Sequence, residues 1–208
     1  MNGLKILIAC EFSGTVRDAF IREGHDAMSC DLEPTESVGP HYQGDVMDII
    51  NNGWDMMIAF PPCTHLAVSG AKHFAKKRAD GRQQQGIDFF LKIINANIPK
   101  IAVENPIGIM STIYKKPTQI IQPWQFGHEA QKTTCLWLKN LPVLQHTKLV
   151  DKGIFYVTPT GKKMPSWMSD PVDANGKKLA YGSDAIKKIR NKTFQGIADA
   201  MATQWGVL

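Results

Sequence analysis

The chain has 208 residues, 43% hydrophobic and 21% charged, and its 24 basic against 19 acidic side chains leave a formal net charge of +5. That balance belongs to a globular protein with one full core and is short for two. It permits a nucleic-acid partner without requiring one, and no run approaches the roughly 20 apolar residues of a membrane span. Leu4 to Ala9 is a short, β-branched apolar run and predicts a buried central strand. Cys10-Glu-Phe-Ser-Gly14 follows as a tight turn, and Thr15 is placed to cap a helix with Val16, Ala19 and Phe20 on its apolar side, ending near Gly24. Strand, small-residue turn, helix is the opening of a nucleotide- or cofactor-binding α/β unit.

Asp26 to Cys30 predicts a second strand, with Asp31 at its carboxyl end, where Rossmann-like folds grip ribose hydroxyls. Glu33 is a second candidate for that role. Gly44-Asp45 precedes a short helical stretch, which suits a loop whose Asp reads an exocyclic amine. Asp55 to Phe60 predicts a strand that Pro61 and Pro62 stop, because neither can donate to a sheet ladder. Cys63 sits just past that stop, at the rim where open α/β sheets collect chemistry, and we read it as a nucleophile. The first strand and the one ending at Phe60 are expected to be neighbours at the switch point.

His65 to Gly81 is polar and carries Lys72, Lys76, Lys77 and Arg78, as either a solvated surface or a flap over the site. Gly86 to Ile98 predicts an amphipathic helix with Ile87, Phe90, Leu91, Ile94 and Ile98 on one face. Lys100 to Val103 predicts a strand leading to Glu104-Asn105-Pro106, a second titratable side chain at a carboxyl end. Pro123 to Leu144 reads as irregular apart from a possible strand over Thr133 to Trp137, with its aromatics in the core. Residues 145–183 predict a loop or hairpin insertion with basic tips at Lys162, Lys163, Lys177 and Lys178. Phe194, Ile197, Ala198, Met201, Ala202 and Trp205 form the stripe of a last, core-packed helix. Cys10, Cys30, Cys63 and Cys135 are scattered without a CxxC pair. With no cleavable signal pattern in MNGLKILIACEFSG, they predict cytoplasmic thiols and no metal site.

A thiolate and a carboxylic acid beside a bound cofactor suit alkylation of a pyrimidine at C5: the sulfur adds at C6 and the carboxyl group hydrogen-bonds N3. The ordered set of the turn from Ala9 to Gly14, Asp31 or Glu33, Gly44-Asp45, Pro62-Cys63 and Glu104-Asn105 resembles the cytosine-C5 DNA methyltransferases. It is most similar to short, phage-type cytosine methylases with PPCTHL, ENP, QK-TCLW and GIA-AMA-QWG runs. The resemblance extends from Lys5 to Gly206. It implies a Rossmann-like, S-adenosylmethionine-dependent methyltransferase fold, α/β with a mostly parallel central sheet and helices on both faces, as one catalytic domain over 1–208. It also implies catalysis by Cys63 and Glu104 and cofactor binding by Glu11, Phe12, Ser13, Gly14, Asp31, Asp45 and Pro61. Substrate contacts fall to Pro62, Asn105, Gln131 and Lys132, and the substrate is DNA, duplex or single-stranded. The family's arginine-bearing QxRxR motif is altered: Gln131 is kept, but Thr133 and Cys135 stand where arginines belong, leaving Lys132 as the nearby cation. Thr64 stands where a glutamine would follow the cysteine. The usual large target-recognition domain is missing, so specificity is slight or borrowed from a partner. Free cytosine nucleotide or RNA as substrate, and a decayed protein that binds nucleic acid or cofactor, are the alternatives.

Overall fold

The computed structural model describes residues 3–151, 153–158, 160–165 and 191–208. Strands β1 (Lys5–Ala9), β2 (Asp26–Asp31), β3 (His41–Gln43), β4 (Met56–Ala59), β5 (Lys100–Asn105), β6 (Gln119–Ile121) and β7 (Thr134–Lys139) form one sheet. Their order is β3-β2-β1-β4-β5-β7-β6. Pairing is parallel from β3 through β5, and β7 runs antiparallel to both its neighbours. This is a mixed α/β architecture compatible with a Rossmann-like fold.

The central strands are apolar on both faces because both faces are covered. Ile6, Ile8, Met56 and Ile58 face one layer, with helices α1 (Thr15–Arg22) and the last helix Gln195–Trp205. Leu7, Ala9, Met57 and Ala59 alternate into the other, against α3 (Arg82–Ile94). Helices therefore cover both faces, with α2 (Phe74–Ala79) preceding α3 and the short α4 (Met110–Ile113) following β5. The last helix becomes α5 in chain order. It buries Ile197, Ala198, Met201, Ala202 and Trp205, with half-buried Phe194 at its N-cap.

Several elements differ from their sequence expectation. Thr15 is the first residue of α1 and not its cap; Gly14 holds the cap position at φ 74° with no side-chain bond of its own. The capping acceptor is the Glu11 carboxylate, which takes the Val16 N–H at 2.8 Å and the Arg17 N–H at 3.2 Å. Helix α3 starts at Arg82 and stops at Ile94, so it is displaced toward the N-terminus of the predicted span, and Ile98 packs into the core beyond its end. Buried Gln83 explains the early start: its amide donates to the His65 carbonyl at 3.2 Å, a long-range contact that periodicity does not encode. Strand β5 runs on through Glu104-Asn105 because β7 pairs with both residues. The possible strand over Thr133 to Trp137 is β7, which starts at Thr134 and runs two residues farther, to Lys139, while the stretch read as irregular also holds a 3-10 turn at Pro123–Gln125. His65 to Gly81 holds a 3-10 segment, Val68–His73, followed by α2.

Within 145–183, β8 (Phe155–Val157) and β9 (Lys163–Pro165) pair as an antiparallel ribbon, and Lys162 accepts from Thr158 N at its turn. Lys177 and Lys178 lie outside the described residues. All four cysteines are free thiols. Among the described residues, no cluster of His, Cys, Asp or Glu is arranged to hold a metal, and no helix is long and apolar enough to cross a membrane.

Candidate active site

The chain leaves β1 through α1 to β2 on one side and returns from β3 to β4 on the other. The carboxyl ends of β1 and β4 thus flank the switch point, where a crevice must open. A cavity of about 510 Å³ occupies it, lined by residues 10–13, by Asp31 and Glu33, by residues 60–64, and by Glu104, Pro106, Lys132, Asn191 and Thr193. A second cavity of about 250 Å³ adjoins it, shares Cys10, Asp31 and Pro62, and adds Cys30, Leu32, Gly44, Asp45, Val46 and Phe89. Both are on the scale of small-molecule sites.

The β1 rim is built by backbone geometry. Cys10 has φ 58°, a left-handed conformation uncommon for a side-chain-bearing residue, and it swings the chain off the strand. Glu11 then turns inward, 4% exposed, onto the start of α1, where Ser13 Oγ donates to its carboxylate at 3.2 Å. Burial pushes the Glu11 carboxyl above its usual range against the opposing pull of the Val16 and Arg17 amides. A Cβ on Gly14 would sit 2.1 Å from Ser37 Oγ, so this position is a close crossing of the loop at 32–40. Fully buried Arg17 secures that loop, donating to Ser37 Oγ at 2.6 Å and to Thr35 Oγ1 at 3.3 Å. Glu36 N in turn donates to the Phe12 carbonyl at 2.9 Å.

Asp31 lines both cavities, and its carboxylate accepts from Glu33 N at 3.0 Å. Asp45 lines the smaller cavity while capping the 3-10 turn Val46–Asp48 through Met47 N at 3.0 Å. Pro61 is buried in the wall and Pro62 stands exposed between the two cavities.

Cys63 and Glu104 line the same cavity from adjacent parallel strands. Burial, followed by the Glu104 charge, pushes the Cys63 thiol up; its own backbone, Lys132 and Lys77 oppose that rise. Burial likewise raises the Glu104 carboxyl, with Lys132 pulling the other way. Two strands of contacts join the loops that carry this pair. Asn105 Nδ2 donates to the Pro61 carbonyl at 2.8 Å, and farther out Val68 N donates to Ile107 O and Ile109 N to Leu66 O, both at 3.0 Å.

Asn105 is 2% exposed, so its amide aligns the two loops from beneath and does not face the cavity. Gln131 is exposed and lines neither cavity, whereas its neighbour Lys132 stands in the larger one. Sequence reasoning did not single out Cys10, Asn191 or Thr193 as lining residues. Asn191 and Thr193 arrive from just before α5, and nothing local in KTFQG marks them. Cys10 was legible in one respect: it directly follows a predicted central strand. A thiol and a raised carboxyl in one cleft can add sulfur to an electron-poor carbon while supplying a proton to the displaced charge. No protein-family model matches the chain, and no curated protein matches it in sequence.

Proposed function

We propose that this chain transfers a methyl group from S-adenosylmethionine to C5 of cytosine in DNA. The observation that carries this reading is the shared cavity: Cys63 and Glu104 open onto the same space as the β1 and β2 rims. The lining suits the cofactor chemically. Asp31 offers a carboxylate for ribose hydroxyls at the end of β2, and the smaller cavity combines apolar Leu32, Val46 and Phe89 with the Asp45 carboxylate, a setting for an amino-bearing ring. Phe12, Ser13, Asp31, Asp45 and Pro61 would hold it, with Glu11 and Gly14 shaping the turn beneath. When bound, the cofactor supplies an activated methyl group.

Every other role belongs to this chain. Cys63 Sγ adds as thiolate to C6 of the cytosine, which raises electron density at C5. Glu104, whose carboxyl burial raises above its usual range, hydrogen-bonds N3 in its acid form and offsets the charge that builds in the ring. After methylation a solvent water takes the C5 proton, the C–H electron pair re-forms the C5–C6 double bond, and the C6–S bond breaks with its electron pair returning to sulfur, which restores the aromatic ring. A duplex substrate requires the base to leave the stack, at a cost of a few kcal/mol; single-stranded DNA avoids it.

Tritiated methyl transfer to DNA, RNA and dCMP, measured side by side, tests the proposal. Transfer to DNA, its loss in Cys63→Ser with cofactor binding retained, and a covalent adduct of Cys63 with DNA containing fluorodeoxycytidine are the expected results. Transfer to dCMP or RNA alone would move the substrate. An active Cys63→Ser variant, or nucleic-acid binding with neither transfer nor adduct, would overturn the mechanism.

A further inference from the structure

The loop after Cys63 rests on a buried cation. Lys77, in α2, is 8% exposed, and its Nζ donates to the Thr64 carbonyl at 2.5 Å, one residue beyond the sulfur. Its other close neighbours are the Phe74 ring, 6.0 Å away, and the backbone at Gly70, where an added Cβ would lie 3.2 Å from Nζ. Among the described residues no carboxylate pairs with it. A buried ammonium without a counter-charge is costly, and the cost falls when an anion forms nearby. The Cys63 thiol belongs to the residue just before the Thr64 acceptor, and Leu66 N and Ala67 N, both donating to Cys63 O at 2.9 Å, close the turn that carries it.

We propose that Lys77 is a positioning residue for Cys63: its side chain fixes the nucleophile loop through Thr64 and sets a cation beside that loop that favours the thiolate. The charged groups acting on the thiol are Glu104 from β5, Lys132 from the segment before β7 and Lys77 from α2. Glu104 opposes the thiolate, and Lys132, which lines the cavity, supports it. Lys77 differs from Lys132 in lying beneath the loop and outside the cavity lining, so it stays in place whatever the cavity holds. This inference rests on the role given to Cys63 above.

The experiment is the pH dependence of Cys63 alkylation by iodoacetamide, read by mass spectrometry of the Cys63 peptide, in wild type, Lys77→Arg, Lys77→Gln and Lys77→Met. Each unit of thiol pKa changes the thiolate fraction about tenfold below the midpoint. Lys77→Gln and Lys77→Met are expected to move the midpoint to higher pH and slow alkylation at pH 8 by about threefold to tenfold, whereas Lys77→Arg keeps the wild-type midpoint. Glutamine can still donate to Thr64 O, so a purely structural tether predicts a wild-type profile in Lys77→Gln, and that result overturns the proposal. If Lys77→Met fails to fold, the Arg and Gln variants decide between the same two outcomes. Alkylation needs neither methyl donor nor nucleic acid. A Lys77-dependent thiol in a chain that methylates no substrate would defeat the proposed function and leave this inference standing.

Discussion

Cys63 and Glu104 compete over protonation at close quarters. The proposed reaction needs sulfur ionised and carboxyl protonated, while burial works against the first and for the second. The Glu104 charge is the second-largest cause of the raised thiol, after burial. Removing it without changing the shape should therefore have two opposite effects. Glu104→Gln is expected to shift the Cys63 alkylation midpoint to lower pH, because a negative charge facing the thiolate is gone, and to make alkylation severalfold faster below the midpoint. The same variant is expected to lose methyl transfer by about a hundredfold or more, the scale of a lost acid–base or charge-stabilising group. A more reactive sulfur in a less active protein separates the two roles. A midpoint that stays put or rises removes Glu104 from the electrostatic field of the thiol. At this scale the sequence was legible where a residue sits at or shortly past the carboxyl end of a strand, as Asp31, Glu104 and Cys63 do. It was not legible for Asn105, Gln131 or Lys77, whose roles depend on which way the side chain turns and on partners far along the chain.

At the scale of elements, the decisive feature is how the turn after β4 is joined to the turn after β5. Ala67 and Gly108 form an isolated antiparallel bridge at the centre of this join. A Cβ at Gly108 would lie 2.5 Å from the Leu66 carbonyl oxygen and 3.0 Å from its carbon. Both are backbone atoms, so no side chain can swing aside and the bridge itself must open. Gly108→Ala is expected to cost about 1–3 kcal/mol, as overpacking does, which in a domain of this size lowers Tm by roughly 2–12 °C. Because the bridge aligns Cys63 with Glu104, transfer measured well below the variant's Tm should also fall, with cofactor affinity retained. Wild-type turnover would show that the alignment comes from the strands alone. The sequence revealed the strands and not this join. The runs at Leu4–Ala9 and Asp55–Phe60 are apolar on both faces and bounded by turn chemistry, so they identify themselves. Strand β6 does not, because its three residues lie among prolines and polar residues that carry no period of their own, and β7 shows itself only as far as Trp137. The start of α3 is hidden for the same reason: Gln83 is buried by its bond to His65 O, a partner outside the helix.

At the scale of the molecule, charge links the site to its proposed partner. The net charge of +5 is too small to dictate nucleic-acid binding, so its distribution matters more. Lys72, His73, Lys76 and Arg78 are exposed on the 3-10 segment and α2, which begin a few residues after Cys63. Lys77, between them, turns inward. This element thus turns one cation toward the Cys63 loop and the rest to solvent. If the substrate is DNA, these side chains are placed to meet phosphates as the target base approaches Cys63. Phosphate contacts release counterions, so each one lost reduces the slope of log affinity against log salt by about 0.9 on duplex or 0.7 on a single strand. The triple variant Lys72→Glu, Lys76→Glu and Arg78→Glu is expected to weaken DNA binding at least tenfold near 0.1 M salt and to flatten the slope by up to about 2–3. S-adenosylmethionine affinity should stay unchanged, because none of the three lines either cavity. Titrations by fluorescence anisotropy at several salt concentrations give both quantities. An unaltered slope would place the phosphate contacts on another face, and the next surface to reverse would be the ribbon of β8 and β9, where Lys163 lies 5.0 Å above the Phe155 ring.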